Sequence, residues 1–431
     1  MDCPSANSGK KGAEVETFFY SGLFGNTFSV FISLDKGLLM KTFMLIIDGV
    51  SDDTLPELKG YTPLETAVTP GMEYLASKAR KGTIQTVFEG YPVESLVCIM
   101  GLLGYDPRKY YPCGRASFEA MARGIGVGEN DLVFRCNIIK AAKNREYIAD
   151  FTAGMISDAC AKNILSEINL PSPAWELYPG QSYRNLMLVR QTPVKANEIK
   201  FFEPHMHQCE PLENLLPAAA TKQAETLASE LRDFLLRSYE QIASMDVTPD
   251  CEGNMLWLWS ASSKPRLPAF KNLYGISGAV VAGLDFMRGL AIAADMYFEV
   301  IPGATGYIDT DYRAKAEATI RMLDKHDFVL THVNAADEAA HIRDAAQKID
   351  AIESVDRYIL EPVFSHLRQS FPENFAVIVC GDHKTRCSDG KHAGDPTPFL
   401  FYLDGETPQE VYKDYRNVPS LRFLKEVFGL C

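Results

Sequence analysis

The chain has no C-x-x-C pair, although it carries ten cysteines: Cys3, Cys98, Cys113, Cys136, Cys160, Cys209, Cys251, Cys380, Cys387 and Cys431. Their scatter excludes the paired-thiolate zinc and redox motifs. With several of them inside apolar runs, the pattern reads as a reduced, cytoplasmic protein. Positive charge is short as well: 43 Lys+Arg stand against 56 Asp+Glu, for a net charge of -13. Such a surface repels phosphate backbones and anionic lipid, which excludes a nucleic-acid or membrane-surface partner. There is no internal repeat and no low-complexity tract. Long uncharged runs are nearly missing too. The one candidate, "TFFYSGLFGNTFSVFISL" (17–34), is interrupted by Ser, Thr, Asn and Gly, so residues 1–39 are expected to be an extension outside the fold and not an anchor. Met40 then opens "MKTFMLIIDG", the expected start of the folded part.

What is present suits a large soluble enzyme. A chain of 431 residues with 46% hydrophobic content exceeds one simple core and can bury two. "FMLII" (43–47) is a continuous apolar run suited to a strand buried on both faces. "TPGMEYLASKARKG" reads as a helix with Thr69 at its N-cap, Pro70 at the first position and Gly82 past its end, and "TIQTV" (83–87) as the next strand. Towards the C-terminus "GAVVAG", "YFEVI", "FVLTHV", "AVIVC" and "PFLFYL" alternate with helical stretches, which predicts an α/β fold with a parallel sheet sandwiched by helices. Between them, "DLVFRCNIIKAAKNREYIADF" reads as a hairpin, followed by a helix near 157–168, the strand "NLMLVR" and a long helix within 221–243. The expected division is therefore a core of 40–135 and 266–431, with 136–265 as a smaller inserted α+β domain.

The acidic residues fall into a pattern on this frame. Asp48 ends "FMLII", Asp337 follows "FVLTHV" and Asp382 follows "AVIVC", so three carboxylates stand beyond the carboxyl ends of predicted parallel strands, the edge where open α/β sheets bind ligands. Asp337 and His341 are four apart, which directs both to one side of a helix. His383 adjoins Asp382, and His392 comes nine residues later in "GDHKTRCSDGKHAGDP". Carboxylates with neutral imidazoles are the ligands divalent metals prefer, and this set suffices for two ions; manganese, zinc, cobalt and magnesium all suit it. Singly, each residue reads equally as a cap or a loop residue.

"IIDGVSDDTLPELKGYTPLETAVTPGMEYLA", "GLLGYDPRKYYPCGRASFEA", "FRCN", "VIPGATGYIDTDYRAKA", "DFVLTHVNAADEAAH" and "GDHKTRCSDGKHAGDPTPFL" occur in that order from Met40 onward. They resemble the archaeal-type cofactor-independent (2,3-bisphosphoglycerate-independent) phosphoglycerate mutase family of the alkaline phosphatase superfamily. The resemblance implies an alkaline-phosphatase-like core and interconversion of 2- and 3-phosphoglycerate, a small phosphorylated metabolite of glycolysis and gluconeogenesis. It implies one metal on Asp337, His341 and His392, and a second on Asp48, Asp382, His383 and the nucleophile, which matches Ser95 in "YPVESLVCIMGLLGYDP". The chemistry is consistent: Ser95 precedes a helical run whose free N–H groups favour a phosphoryl oxygen, and a bound cation would lower the pKa of its hydroxyl. Arg115, Arg135, Arg184 and Lys315 stand in family-like segments and are candidates to clamp phosphate.

The departures concern specificity. Glu94 and Leu96 flank the serine where the family has Gly and an acidic residue. "GRAS" replaces "GRGP", "DFTAGM" (150–155) replaces an arginine-rich "DRRAGR", and "WLWS" (257–260) stands for an Arg-Gly. These features also resemble a sister clade proposed to act as a homoserine kinase. The two tryptophans read equally as packing. No Cys- or Ser-x-Pro-x-Arg stretch supports a sulfatase, and "HMHQC" (205–209) reads as a loop. A non-catalytic metal-binding relic is the reading from another class, opposed by the presence of every expected ligand and of Ser95.

Overall fold

The computed structural model describes residues 40–208, 210–246, 251–406 and 414–430; the 1–39 extension lies outside the described residues. Lys41–Ile47, almost wholly buried, lies in the interior of an eight-stranded sheet. The strand order is Tyr297–Phe298, Gly278–Val281, Phe328–Val333, Lys41–Ile47, Phe375–Cys380, Thr397–Leu403, Arg80–Gln85 and Asp414–Pro419. Lys41–Ile47 pairs in parallel with both neighbours, Phe328–Val333 and Phe375–Cys380. Thr397–Leu403 alone among these strands runs against the rest. It returns from Phe375–Cys380 through a small hairpin, Lys384–Arg386 with Lys391–Ala393, and not through a crossover helix, which a parallel neighbour would need.

Alternation along the first strand divides the core into two layers. Phe43, Leu45 and Ile47 pack with side chains of the helices Tyr312–Leu323, Ala345–Val355 and Glu361–Ser370. Met44 and Ile46 pack with those of Ser95–Leu102, Asp285–Ala293 and Ser420–Val427. Helices therefore cover both faces, as the continuous apolar strands require.

Between the helices Ala116–Ala122 and Phe270–Tyr274 the chain builds a second, antiparallel sheet from Leu132–Ala141, Ile148–Asp150, Trp175–Gln181, Arg184–Val189 and Met255–Ser262. The helices Asp158–Glu167 and Glu225–Ala243 lie where 157–168 and 221–243 predict them. Trp257 and Phe234 are fully buried in the core of this unit. Leu132–Ala141 is one unbroken strand, so this sheet begins before residue 136 and takes Arg135 with it.

Two local expectations and one chemical expectation are corrected. Thr69 and Pro70 do take the N-cap and first positions, but the Thr69 side chain makes no capping bond; the N–H groups of Gly71 and Met72 donate instead to the Asp356 carboxylate, at 2.9 and 2.7 Å, from a distant helical turn. That helix ends at Ala76, and Gly82 lies inside the strand Arg80–Gln85, where a Cβ would run into the Tyr415 carbonyl of the neighbouring strand. The glycine serves close strand approach and not helix termination. Cys160 and Cys251, read as thiols, form a disulfide with Cα atoms 6.2 Å apart, whereas Cys98, Cys113, Cys136, Cys380 and Cys387 are free. Their 91-residue separation hides the pair from the sequence.

One buried ion pair ties the sheet edge together. Lys348 Nζ reaches Asp52 Oδ2 at 2.8 Å with both side chains fully buried, and also donates to the carbonyls of Thr385 (2.7 Å) and Ser51 (3.2 Å). Asp52 in turn accepts the Cys387 N–H at 3.1 Å, so the loop after the first strand, the hairpin and the helix Ala345–Val355 share one polar knot. Lys348→Met leaves Asp52 buried and unpaired and should lower unfolding stability by about 3–5 kcal/mol in urea titration. Asp52→Asn added to Lys348→Met should recover part of that loss.

Candidate active site

The structure brings Asp48, Ser95, Asp337, His341, Asp382, His383 and His392 together beyond the carboxyl ends of Lys41–Ile47, Phe328–Val333 and Phe375–Cys380. Asp48 directly follows the Ile47 end of its strand, Asp382 stands one residue beyond the Cys380 end of its own, and both are fully buried. Gly49 holds the turn after Asp48 at φ 63°, and its N–H donates to Asp382 Oδ1 at 3.2 Å. A Cβ at Gly49 would press on the Asp337 backbone at 2.9 Å, so glycine is what lets the three acidic loops converge.

Ser95 is the first residue of the helix Ser95–Leu102, and Glu94 occupies the N-cap position. Its hydroxyl does not act as a cap. Ser95 Oγ donates to Asp48 Oδ2 at 3.2 Å and lies 3.1 Å from His383 Nε2. His383 Nε2 is in turn 3.5 Å from both Asp48 Oδ1 and Asp382 Oδ2. On the more open side of the cluster, the helix Ala335–His341 sets His341 Nε2 3.2 Å from Asp337 Oδ2, the predicted four-residue relation. The hairpin folds His392 back so that its Nε2 lies 3.5 Å from Asp337 Oδ1 and 3.1 Å from His341 Nε2.

The hydrogen bonds at the outer nitrogens decide what the inner ones can do. His341 Nδ1 donates to the Gly390 carbonyl at 2.8 Å and His392 Nδ1 to the Val93 carbonyl at 2.7 Å. Thr385 Oγ1 donates to Asp337 Oδ1 at 2.6 Å, which leaves that hydroxyl to accept from His383 Nδ1 at 3.1 Å. In the neutral rings all three Nε2 lone pairs then point inward. Asp48 Oδ1 and Asp382 Oδ2 are buried with no hydrogen-bond partner among the described residues. Donor atoms of Asp337, His341 and His392 lie within 4.8 Å of one another, as do those of Asp48, Asp337 and His383. Convergent imidazole lone pairs and unpartnered carboxylate oxygens fit divalent cations, with the outer hydrogen bonds fixing the tautomers.

The titration behaviour agrees with that shortage of positive charge. Burial, and then the charges of Asp382 and Asp337, push the Asp48 carboxyl well above its usual range. Burial works the same way on Asp337, but hydrogen bonds from His341 and His392 outweigh it and hold Asp337 well below. Burial opposes charge on His341, yet the hydrogen bond and charge of Asp337 prevail and raise it to about 9.

The basic candidates gather on the second sheet's side, with one exception. Arg115 and Arg135 both contact Glu119, at 3.4 and 3.2 Å, and both face the Trp259 ring, at 5.7 and 4.3 Å. Burial lowers Arg135 to about 10. Arg184 lies over the rings of Tyr183 and Tyr307. Glu338 links the two groups: burial and Asp337 raise its carboxyl, while His341, Arg184 and Arg115 oppose them, so all lie within charge reach. Lys315 is the exception. It is almost fully buried, donates to the carbonyls of Thr305 and His332 at 3.3 Å, and is lowered to about 7 by burial.

Of three further residues at the site, the sequence marks Glu94 and Trp259 only as departures from the family, and His332 not at all. Glu94 accepts from the Tyr111 hydroxyl at 2.8 Å, and burial raises its carboxyl. Trp259 carries the arginines and donates to Asn137 Oδ1 at 3.0 Å, while Trp257 is packing. His332 lies 3.1 Å from Asp48. Its position inside an apolar strand gave the only signal. Residues 205–208 form a loop, as expected, and among the described residues His205 and His207 join no metal-holding cluster; the His205 ring instead meets Trp259 edge-on at 5.5 Å.

A cation entering between Asp337, His341 and His392 must displace the proton that His341, raised to about 9, carries at neutral pH. Binding should release about one proton per ion from this residue at pH 7 and none well above pH 9. Calorimetry in buffers of different ionisation enthalpy measures this, and an unchanged proton count across that range contradicts it.

The sequence profile of a family described as 2,3-bisphosphoglycerate-independent phosphoglycerate mutase matches residues 76–248. The 2,3-bisphosphoglycerate-independent phosphoglycerate mutase 2 of Methanothermobacter thermautotrophicus is 35% identical over 381 residues, covering 87% of this chain and 91% of its own. The corresponding mutase of Methanosarcina barkeri is 34% identical over 380 residues, covering 86% and 92%. Among solved structures, the PH0037 protein from Pyrococcus horikoshii shares the fold, with a TM-score of 0.72 at 23% identity over 91% of this chain and 98% of that one. The cofactor-independent phosphoglycerate mutase from Thermoplasma acidophilum has a TM-score of 0.59 at 25% identity, over 91% and 99%. Identity of this extent along most of both chains means that the protein belongs to the 2,3-bisphosphoglycerate-independent phosphoglycerate mutase family of isomerases.

Proposed function

We propose that the protein interconverts 2-phosphoglycerate and 3-phosphoglycerate through a phosphoserine at Ser95, with two divalent cations, one on Asp337, His341 and His392 and one on Asp48, Asp382, His383 and Ser95. The observation that carries this reading is the Ser95 hydroxyl, drawn off its ordinary capping role onto Asp48 and His383 at the start of a helix. Cations bound there would lower the pKa of that hydroxyl and neutralise charge on the phosphoryl oxygens.

Ser95 gives up its hydroxyl proton as its Oγ attacks phosphorus, the bond from phosphorus to the glycerate oxygen breaks, and that oxygen takes up a proton. The other glycerate hydroxyl then attacks the phosphoserine, its proton is lost, and Ser95 is regenerated. Asp48 and His383 orient the serine oxygen, and the backbone N–H groups of the helix Ser95–Leu102 face the phosphoryl oxygens. Arg115, Arg135 and Arg184 serve the substrate's negative charge. Arg135 and Arg184 lie on the second sheet, whose first strand starts at Leu132, just ahead of 136–265; that placement supports this unit as a domain that covers the site and excludes water so that the phosphoryl group returns to glycerate. Lys315, buried behind the strand Phe328–Val333, supports the site electrostatically. A cytoplasmic setting belongs to the same reading; the five free thiols support it and the Cys160–Cys251 disulfide opposes it.

Glu94 favours a second acceptor. A carboxyl group next to Ser95 suits a substrate bearing an ammonium group, such as homoserine, better than a second anion.

In a manganese-loaded assay, 3-phosphoglycerate should turn over and homoserine with a phosphoryl donor should not; the reverse result selects the second acceptor. Ser95→Ala should reduce turnover on the order of 10³-fold or more while keeping the cations. Trapped wild-type protein should show one added phosphate on the peptide containing "VESLVCIM", and the variant none. Full activity of Ser95→Ala would remove the serine from the reaction.

A further inference from the structure

His332 is absent from the ligand set just proposed. It lies within the strand Phe328–Val333, opposite Ile46 in the parallel register, on the sheet face that also carries Met44 and Ile46. The imidazole is 1% exposed, and although Nε2 comes near Asp48, neither ring nitrogen makes a hydrogen bond of acceptable geometry with any described residue. Leaving a buried polar group unpaired costs about 1–3 kcal/mol, so an imidazole in this position points to an occupant.

Its surroundings say what kind. His332 Nε2 lies 3.1 Å from Asp48 Oδ2, the same oxygen that accepts from Ser95. Ligand atoms of His332, Asp48 and Asp382 lie within 4.8 Å of one another. Asp48 Oδ1 and Asp382 Oδ2 are likewise buried without partners. Three residues that each keep a buried, unpartnered donor atom, with ligand atoms this close, match a metal's first coordination sphere, in which neighbouring ligand atoms stand about 3 Å apart when each is about 2.1 Å from the ion. The Phe286 ring, with its centroid 6.4 Å from that of His332, offers it no hydrogen bond.

We propose that His332 is a direct ligand of the cation on the Ser95 side, joining Asp48, Asp382, His383 and the serine oxygen. The inference rests on the proposed cation binding. It gives that ion two imidazoles, and it ties Ser95, Asp48 and the strand Phe328–Val333 to a single centre.

Cobalt-substituted protein tests both layers separately. In wild type, contact-shifted imidazole N–H proton resonances should come from His332, His341, His383 and His392. His332→Ala and His332→Asn should each lose one of these and weaken one cobalt site by at least about 10- to 100-fold in calorimetric titration. Melting of the metal-free variants should match metal-free wild type; of the two substitutions, the one that folds is the one to read. Wild type that binds no cobalt sinks the cation reading and this inference with it. Wild type that binds cobalt with shifted resonances from His341, His383 and His392 alone, and variants with the same spectrum, overturn the inference and leave the cation reading standing. Weakened affinity with an unaltered set of resonances likewise overturns direct ligation, because a residue acting through Asp48 would give that result.

Discussion

Asp48, Asp337 and Asp382 lie at the ends of neighbouring parallel strands, two of them wholly out of water. Carboxylate oxygens of Asp48 stand within 4.8 Å of those of Asp337 in one group and of Asp382 in another. Two full negative charges at that separation repel by roughly 3 kcal/mol even at an effective dielectric near 20. Imidazoles whose outer nitrogens are held by Gly390, Val93 and Thr385 surround the three acids, which turns the inner lone pairs towards the same space. Much of the surrounding structure can be understood as what holds this unfavourable arrangement in place: the glycine turn at Gly49, the hairpin that returns His392, and the buried Asp52–Lys348 pair that pins the hairpin to the first loop.

The same concentration of charge gives Ser95 its character. A serine at the start of a buried helix has free N–H groups around it whatever its function. Here its hydroxyl instead faces Asp48 and His383. Its neighbours on the open side are unusual for a site that handles anions. Glu94 adjoins it, and the paired arginines Arg115 and Arg135 are already partly engaged by Glu119 and stacked near Trp259. Under the proposed function, phosphate would compete with Glu119 for these guanidinium groups.

The parallel core, the strand-end carboxylates and the Asp337–His341 pair could be read from the chain because each depends on a local pattern: continuous apolar runs, residues directly after them, and a four-residue helical spacing. The direction of Thr397–Leu403 could not, since an apolar strand looks the same whichever way it runs, and the absence of a crossover is a property of the hairpin. The capping of Pro70–Ala76 was misread because the cap is a carboxylate more than 280 residues away, and Gly82 because the crowding it relieves comes from another strand.

By itself the sequence determined which side chains were available for metal and phosphoryl chemistry and, through apolar periodicity, that three acids would stand at strand ends. Their mutual distances, the tautomers of the histidines, the arginine pair around Glu119, the Cys160–Cys251 disulfide and the approach of His332 to Asp48 were decided by tertiary structure. Each of these depends on contacts between residues far apart in the chain, and hydrophobic patterning specifies which face a residue takes but not which distant side chain it meets there.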